Sequence, residues 1–285
     1  MKNIFYIILM LMLLLTIIPS EGRLNKYYSM IANPIYLLSW TPASLPSLAI
    51  WLDAADANTV QLNGSSVTKW LDKSGNGRNV SQSVVGKQPK YTTAGQNGLN
   101  VITFSSAINQ SLFASINVIN LAQPFSRFIS AQFTTKNSEA VLIDSEVLTN
   151  QCVFYNGEAS FSGKWSIANG FNPVFQLFSY GVSDFLNHQH FHVINGASST
   201  WGLDGSTPVT VLSSPGATGQ TGIRIGTLRT DSVASYAFNG RVFEIIEVSG
   251  IISTNDRQKV EGYLAWKWGL VSNLPANHPY KLAPP

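Results

Sequence analysis

Histidine is the residue type whose spacing in this chain most directly suggests chemistry, because three of its four copies stand at alternate positions in the segment 188–192. Alternate side chains of a strand point to one face, so His188, His190 and His192 are predicted to form a single row. Such a row can converge on zinc or copper if another strand supplies a further ligand. The alternative is a polar row on the exposed face of a sheet, where the rings and the nearby Trp201 would contact a sugar.

A tight loop is predicted after the candidate strand at 67–72. Asp72 is followed by Lys-Ser-Gly-Asn-Gly, and Gly75, Asn76 and Gly77 are residue types that accept a positive φ. Aspartate commonly closes such turns by accepting hydrogen bonds from the backbone that follows it. One interpretation of this segment is therefore a turn that Asp72 caps.

Composition narrows the classes of protein to which the chain can belong. Of 285 residues, 45% are hydrophobic and 12% are charged, a balance typical of a β-rich surface protein rather than a helical cytosolic enzyme. The net charge of +3 is spread without a Lys/Arg run, so nucleic acid is not a predicted partner. Cys152 is the only cysteine, which excludes an internal disulfide and a thiolate metal cluster, and it is predicted to be a small buried residue.

The amino terminus differs in kind from the rest of the chain. A low-polarity run from Ile4 to Ile18 follows Lys2, as in a secretory signal. As a helix the run would be about 22 Å long, short of the roughly 30 Å hydrocarbon core, which favours a signal peptide. The small-x-small cleavage pattern is poor, so an uncleaved membrane anchor and a true start at Met30 stay open as alternatives.

Short strands separated by turns are predicted over most of the remaining chain. They lie at 48–53, 67–72, 100–104, 125–133, 140–144, 152–155, 173–178, 191–194, 209–212, 221–226 and 241–248. Many short strands without alternating helices favour antiparallel layers, so we predict an all-β two-sheet sandwich.

One helix is predicted near the carboxyl terminus. Ser253 can cap its start and Gly269 can supply its left-handed end. Val260, Leu264 and Trp268 recur every four residues, which places an apolar stripe against the sandwich. The predicted organisation is thus a signal peptide or anchor at 1–22, a linker at 23–45, the sandwich at 46–252, and a packed helix and tail at 253–285.

Several motifs in this order also recur in a known family. They are Trp51-Leu-Asp-Ala-Ala-Asp56, Trp70-Leu-Asp-Lys-Ser-Gly-Asn-Gly-Arg-Asn79, Ile223-Arg-Ile-Gly226, the segment 238–248 and the segment 260–270. Together they resemble the laminin G-like branch of the concanavalin A-like lectin-glucanase jelly rolls, in versions from phages, large DNA viruses and marine bacteria. The likeness runs from about Leu45 to Tyr280, and its clearest motifs lie at the two ends. It implies an antiparallel jelly roll that binds glycans or proteins in adhesion, often with calcium.

The resemblance also implies a calcium site. Its nearest matches here are Asp72 and the loop residues Ser74, Gly75 and Asn76. Calcium favours several oxygen ligands from a turn of this kind. Only one carboxylate lies in the loop, so the turn capped by Asp72 stays the alternative.

Members of the same fold include glycanases, and the acidic residues bear on that activity. Retaining cleavage of a glycoside needs two carboxyl groups about 5–5.5 Å apart. Glu244 and Glu247 are three positions apart and should face opposite sides of a strand. Asp144 and Glu146 alternate, but they occupy a turn-like Asp-Ser-Glu without the third acid of the glucanase pattern. We therefore predict that the protein is not an enzyme.

The function predicted from these features is a non-catalytic, lectin-like recognition or adhesion module. Its partner would be a glycan or a surface protein, and its location would be secreted or membrane-anchored through Ile4 to Ile18, on the virion surface if the source is viral. The alternatives are a structural jelly roll associated with a capsid or fibre and, less favoured, a glycanase.

Overall fold

The computed structural model describes residues 40–134, 140–147, 152–156, 164–169, 178–180, 184–210, 216–228 and 236–285. These belong to one compact unit, Ser39–Pro285. The candidate signal peptide or anchor and most of the predicted linker lie outside the described residues, as do parts of the strands predicted at 173–178 and 209–212. Within the described ranges, no helix is both long and apolar enough to cross a membrane.

Strands make up most of the regular structure. In chain order they are β1 Leu48–Asp53, β2 Val60–Asn63, β3 Ser66–Trp70, β4 Val80–Ser81, β5 Lys90–Gln96, β6 Leu99–Phe104, β7 Leu112–Ala114, β8 Asn120–Leu121, β9 Phe125–Phe133, β10 Ala140–Asp144, β11 Cys152–Asn156, β12 Trp165–Asn169, β13 Phe178–Tyr180, β14 Asn187–Ile194, β15 Thr200–Leu203, β16 Val209–Thr210, β17 Gln220–Thr221, β18 Ile223–Ile225 and β19 Gly240–Ser249. Helix α1 spans Thr254–Trp268, and short 3₁₀ turns lie at Pro42–Ser44, Ala57–Thr59, Val85–Lys87, Ser106–Ile108 and Val271–Asn273.

Strand pairing is antiparallel in every ladder between these strands and forms two series. The first runs β1, β19, β9, β14, β15, β16. The second runs β2, β3, β4, β7, β18, β10, β11, β12, β13. Strands β5 and β6 join the two, because β6 pairs with β19 and β5 pairs with β3. The predicted all-β jelly-roll sandwich is confirmed.

Alternate side chains of the central strands fill the space between the two series. Ile129 and Phe133 of β9 are buried there, with Ile245 of β19 and Ile225 of β18. The Phe133 ring meets the Phe154 ring edge-on at a centroid distance of 5.8 Å. Burying one side chain of this size stabilises the fold by about 1.5–3 kcal/mol, so the disulfide-free sandwich is held together by its core.

Helix α1 forms where the local signals predict it. The Ser253 hydroxyl accepts a hydrogen bond from the Asp256 amide at 3.1 Å, and Gly269 ends the helix at φ 70°. The predicted stripe of Val260, Leu264 and Trp268 is fully buried. Since Trp268 stacks on Phe243 of β19 at 5.3 Å, the helix covers the outer face of the first strand series.

A buried polar network, which the sequence analysis missed, fixes α1 to the sheet. Lys267 of the helix donates to Asp53 of β1 at 2.6 Å and to Glu244 of β19 at 2.8 Å. Glu244 also accepts from the indoles of Trp51 at 2.6 Å and Trp268 at 2.8 Å. Burial raises the pKa of Glu244 against the opposing effect of Lys267. Burial would also raise the pKa of Asp53, but the lysines beside it outweigh burial and lower it.

Residues on both sides of the helix complete its contacts. Trp40, within the segment predicted as a linker, meets the Tyr263 ring edge-on at 6.0 Å. The tail after α1 packs back on the helix, where the Trp266 indole donates to the Tyr280 carbonyl oxygen at 2.9 Å and His278 meets Glu261 at 3.2 Å. The tail is therefore held against α1 at His278 and Tyr280.

Candidate functional site

Strand β14, which carries the histidine row, lies in the middle of the first series between β9 and β15. Its register places His190 opposite Ile129 and His192 opposite Arg127, so these rings point into the sandwich. Both histidines are buried. The expectation that the row lies on an exposed face is therefore wrong. The opposite face of β14, which carries Phe191, lies under α1, where Arg257 is 5.8 Å from the Phe191 ring. Both faces of the strand are thus covered.

The two inner histidines are packed among aromatic rings. The His190 ring lies 4.7 Å from Phe154 and 4.8 Å from Trp165, and the His192 ring lies 5.1 Å from Phe154. Burial lowers the pKa of both imidazoles well below the usual value, and neighbouring positive charge adds to the effect. Neighbouring rings of the row are 6.1 and 6.4 Å apart, and the described residues contain no group of three or more His, Cys, Asp or Glu side chains arranged to hold a metal.

His188 differs from the other two because it lies at the start of β14, between two carboxylates. Its Nδ1 is 2.5 Å from Asp204 Oδ2 and its Nε2 is 3.0 Å from Asp184 Oδ1. Burial lowers the pKa of His188, but the two carboxylates outweigh burial and raise it above its usual value. The raised pKa favours the protonated ring, which can donate to both acids.

A cleft of about 460 Å³ opens beside this ring. It is lined by Gln96, Leu186, Asn187, His188, Asp204, Gly269, Leu270 and Asn273. Gln96 ends β5, Asp204 follows β15, and Gly269 and Leu270 follow α1, so elements far apart in the sequence meet here. Leu186 is 65% exposed and Phe185 next to it is 47% exposed, which places apolar surface at the cleft.

Hydrogen bonds between the amide side chains hold the walls of the cleft together. The Gln96 amide nitrogen donates to the Trp268 carbonyl oxygen at 2.7 Å, and the Asn187 amide nitrogen donates to Gln96 Oε1 at 2.7 Å. Asn273 Nδ2 donates to the Asn187 carbonyl oxygen at 3.1 Å. The end of α1 thus sets the positions of the polar groups in the cleft.

Trp201, the other predicted ligand contact, lies elsewhere. It pairs with His192 across β14 and β15, and its partly buried side chain packs against the core. It does not line the cleft. Of the four residues predicted from the sequence to contact a ligand, the structure brings only His188 to the cleft.

The Asp72 loop has the tight geometry that the sequence predicts, with Gly75 at φ 87° and Gly77 at φ 70°. Asp72 Oδ1 accepts from the amides of Trp51 and Ser74, both at 2.9 Å. Its Oδ2 accepts from the Ser74 hydroxyl at 2.7 Å and from the Arg78 amide at 3.0 Å. Each oxygen already has two donors, which is the usual capacity of a carboxylate oxygen. A calcium ion would compete with these donors, and the predicted site at Asp72, Ser74, Gly75 and Asn76 stays a prediction.

Three of the four acidic residues considered for catalysis, Glu244, Glu247 and Glu146, pair with cations. Glu247 points into the sandwich, where Arg127 donates to it at 2.7 Å, whereas Glu244 lies under α1 on the other face. The predicted opposite orientation of these two acids is confirmed. Asp144 is fully buried, and Glu146 pairs with Arg224 at 2.8 Å.

Comparison with known proteins finds solved structures with a similar fold but no match in sequence. No family model matches the chain, and no curated protein matches it in sequence. Among solved structures, the binding domain of botulinum neurotoxin serotype D/C has a TM-score of 0.52 at 12% identity, covering 76% of this chain and 52% of that one. A variant of a GH54 α-L-arabinofuranosidase soaked with 4-nitrophenyl α-L-arabinofuranoside has a TM-score of 0.51 at 15% identity, covering 71% and 51%. Domains LG4-5 of the mouse laminin α1 chain have a TM-score of 0.40 at 12% identity, covering 54% and 43%.

The likeness to the first two structures defines a class of fold. The chain spans about half the length of each. At these identities the match shows the architecture alone, which is a β-sandwich jelly roll. The finer resemblance to phage, viral and marine bacterial versions stays a prediction.

Proposed function

We propose that the protein is a lectin-like binding module that takes a glycan in the cleft beside His188. The observation that carries the proposal is the lining of the cleft, where amide and carboxylate groups lie beside exposed apolar side chains. A sugar presents hydroxyl groups along its edge and apolar C–H groups on its faces, so such a lining complements it. Sites for small ligands commonly combine an apolar wall with a few polar groups fixed in position.

The fold comparison gives a first ligand class to test. One of the two solved structures with a similar fold was soaked with an arabinofuranoside. Nothing in that likeness extends to the residues of a site, so the argument for a sugar rests on the cleft itself. A surface protein is the other partner class, and it would use the same exposed Phe185 and Leu186.

We propose binding without catalysis. Glu244, Glu247 and Glu146 each have a cationic partner, and Asp184 and Asp204 both meet His188. A general acid must be able to reach the substrate and donate a proton to it, whereas each of these carboxyl groups is already engaged by a basic side chain of the protein. This arrangement supports a recognition site in which the acids accept hydrogen bonds.

Calcium and an external location are also proposals. Calcium would act at the Asp72 loop, and display outside the cell would use the segment from Ile4 to Ile18 as a signal or tether. A chelator tests the first, because glycan binding that depends on calcium is lost with the chelator and restored by the ion. Mass spectrometry of the mature amino terminus tests the second.

A glycan array with the full chain is the primary experiment. Leu186→Ala removes an apolar group from the cleft and is expected to weaken binding at least about fivefold, the effect of losing roughly 1 kcal/mol of contact. Ile251→Ala is the matched control, since Ile251 is 60% exposed against 65% for Leu186 and does not line the cleft. Absence of binding to any glycan, or equal loss in both variants, would refute the proposal. Release of new reducing ends from a bound polysaccharide would refute the non-catalytic part alone.

A further inference from the structure

The orientation of the amides determines which hydrogen-bonding groups the cleft offers. Gln96 must point its nitrogen at the Trp268 carbonyl oxygen, which can only accept. Its Oε1 therefore faces Asn187, and Asn187 must meet it with Nδ2. The remaining Asn187 atom is Oδ1, which is buried and accepts no hydrogen bond from the described residues. A buried acceptor without a donor is costly, so a donor from a ligand or a water molecule is favoured there.

The charges at the cleft also favour a ligand that donates hydrogen bonds. Asp204 lines the cleft and meets one nitrogen of the His188 ring, and Asp184 meets the other nitrogen, so two carboxylates surround one imidazole. The Asp184 side chain is 38% exposed, and its Oδ2 accepts no hydrogen bond from the described part of the chain. None of the described residues that line the cleft is a lysine or an arginine. Lys281, on the tail beyond Asn273, donates to three backbone carbonyl oxygens.

From these two observations we infer that the cleft selects a glycan with a free amine, an amino sugar, over neutral and acidic glycans. The inference rests on the proposed function and names its substrate class. An ammonium group carries three donors and no acceptor, which matches a site with an unpaired acceptor at Asn187 and two carboxylates around one imidazole. An acidic sugar would bring a like charge next to Asp184 and Asp204.

A general attraction for cations does not account for such a preference. The whole chain carries a formal net charge of +3, so a cationic sugar is repelled by the protein at long range. Selection for an amine would therefore have to come from the local charges at the cleft. Added salt should reduce the preference, because the carboxylate of Asp184 is partly exposed to solvent.

Isothermal titration calorimetry with three oligosaccharides of equal length tests the inference. The probes are a glucosamine oligomer with free amines, the same oligomer fully N-acetylated, and an oligogalacturonate. The experiment uses the full chain at a pH that keeps the sugar amine protonated. We expect the free amine to bind about fivefold more tightly than the acetylated form, the ratio given by one partly exposed ion pair, and the acidic probe to bind most weakly.

Two substitutions locate the effect. Asp184→Asn removes one negative charge at nearly constant shape and is expected to abolish the preference for the free amine over the acetylated oligomer. Asp56→Asn is the control, because the Asp56 side chain is similarly exposed at 30% and pairs with Lys73, which does not line the cleft, whereas Asp184 pairs with His188, which does. Circular dichroism and melting temperature confirm that both variants fold.

The possible results separate this inference from the proposed function. Equal affinity for the free and acetylated oligomers, or tightest binding of the acidic probe, would overturn the amine selectivity while the glycan-binding function survived. A preference that persists in Asp184→Asn would also overturn it. If none of these probes binds while other glycans on the array do, the amine inference fails alone; if no glycan binds at all, the proposed function fails with it.

Discussion

Substitution of Lys267 by methionine is the sharpest test of how α1 is held on the sandwich. Lys267 is the cation shared by the buried Asp53 and Glu244, at 2.6 and 2.8 Å. Removing one partner of a buried ion pair typically costs about 3–5 kcal/mol. Here Asp53 keeps Lys73 at 2.9 Å, and Glu244 keeps its neutral donors, so we expect the lower end, about 3 kcal/mol.

The expected loss depends on pH in a defined direction. The folded-state pKa of Glu244 is raised by burial above its value of 4.5 in the unfolded chain, so its stabilising contribution is full below that value and is lost as pH rises through the folded pKa. Loss of Lys267 removes the charge that opposes burial and raises this pKa further. The deficit of the variant is therefore largest at neutral pH and shrinks as the solution is acidified towards the unfolded value.

Urea unfolding followed by tryptophan fluorescence measures the effect, because the indoles of Trp51 and Trp268 both donate to Glu244. A loss of about 3 kcal/mol would lower the melting temperature by roughly 6–12 °C for a domain of this size. Lys259→Met is the matched control, since Lys259 lies on the same helix in a partly exposed pair with Asp256 at 3.2 Å and should cost less than about 1 kcal/mol.

The double variant Lys267→Met with Glu244→Gln provides a second check. Glutamine leaves no buried charge, and its single oxygen can still accept from one of the two indoles, so it should recover part of the lost stability at neutral pH. Equal unfolding free energies for Lys267→Met and Lys259→Met would refute the reasoning. So would a double variant that is less stable than the single one at neutral pH.

Two further predictions concern the histidine row and the Asp72 loop. The pKa values of His190 and His192 are lowered in the folded state, so their stabilising contribution is present above the unfolded value of 6.5 and is lost as pH falls. The raised pKa of His188 acts in the opposite direction, and we expect the two buried histidines to outweigh it. An unfolding free energy that does not decrease between about pH 7 and 5 would contradict this prediction. Asp72→Ala removes the acceptor of four hydrogen bonds and should cost about 2–4 kcal/mol in unfolding free energy. If calcium binds at this loop, the ion raises the melting temperature of the natural chain and not that of Asp72→Ala, whereas equal shifts would place calcium elsewhere.

Local signals in the sequence were sufficient for the strongest elements. The predicted strands at 125–133 and 140–144 coincide with β9 and β10, because both segments are rich in aromatic and aliphatic residues and are bounded by turn residues. Helix α1 was found from its cap, its left-handed end and its apolar repeat, all of which depend on residues close together in the chain.

Strands with a weak local pattern were missed. Strand β5, Lys90–Gln96, reads Lys-Tyr-Thr-Thr-Ala-Gly-Gln and has no buried residue. It forms because β6 and β3 supply hydrogen-bond partners on either side, so its conformation comes from tertiary contacts that a propensity argument does not contain.

The histidine row shows a different limit of the sequence. The period of two was correct, and all three rings lie on one face of β14. The histidine face was wrongly expected to be exposed to solvent, because α1 covers the other side of the sheet. The helix begins about 60 residues after β14, and the sequence of β14 contains no signal for its position. A helix packed on a sheet turns a two-sided pattern into two buried faces.

The cleft could have been found only in part. His188 contacts Asp204 beside the hairpin of β14 and β15, and the Asn-Gly pair at 195–196 that begins the connecting turn is a hairpin signal in the sequence. Gln96 and Asn273 reach the cleft from elements about 90 residues away on either side of Asn187, and no signal in the sequence relates them.

The network under α1 and the cleft are linked through the end of the helix. Lys267 and Trp268 fix the last turn to Asp53 and Glu244, and the carbonyl oxygens of the same two residues accept from Asn97 at 2.8 Å and Gln96 at 2.7 Å. Because the Trp268 carbonyl orients Gln96, which in turn orients Asn187, the buried charges set which atom of Asn187 stays without a partner. Lys267→Met should therefore weaken ligand binding as well as folding, although Lys267 does not line the cleft.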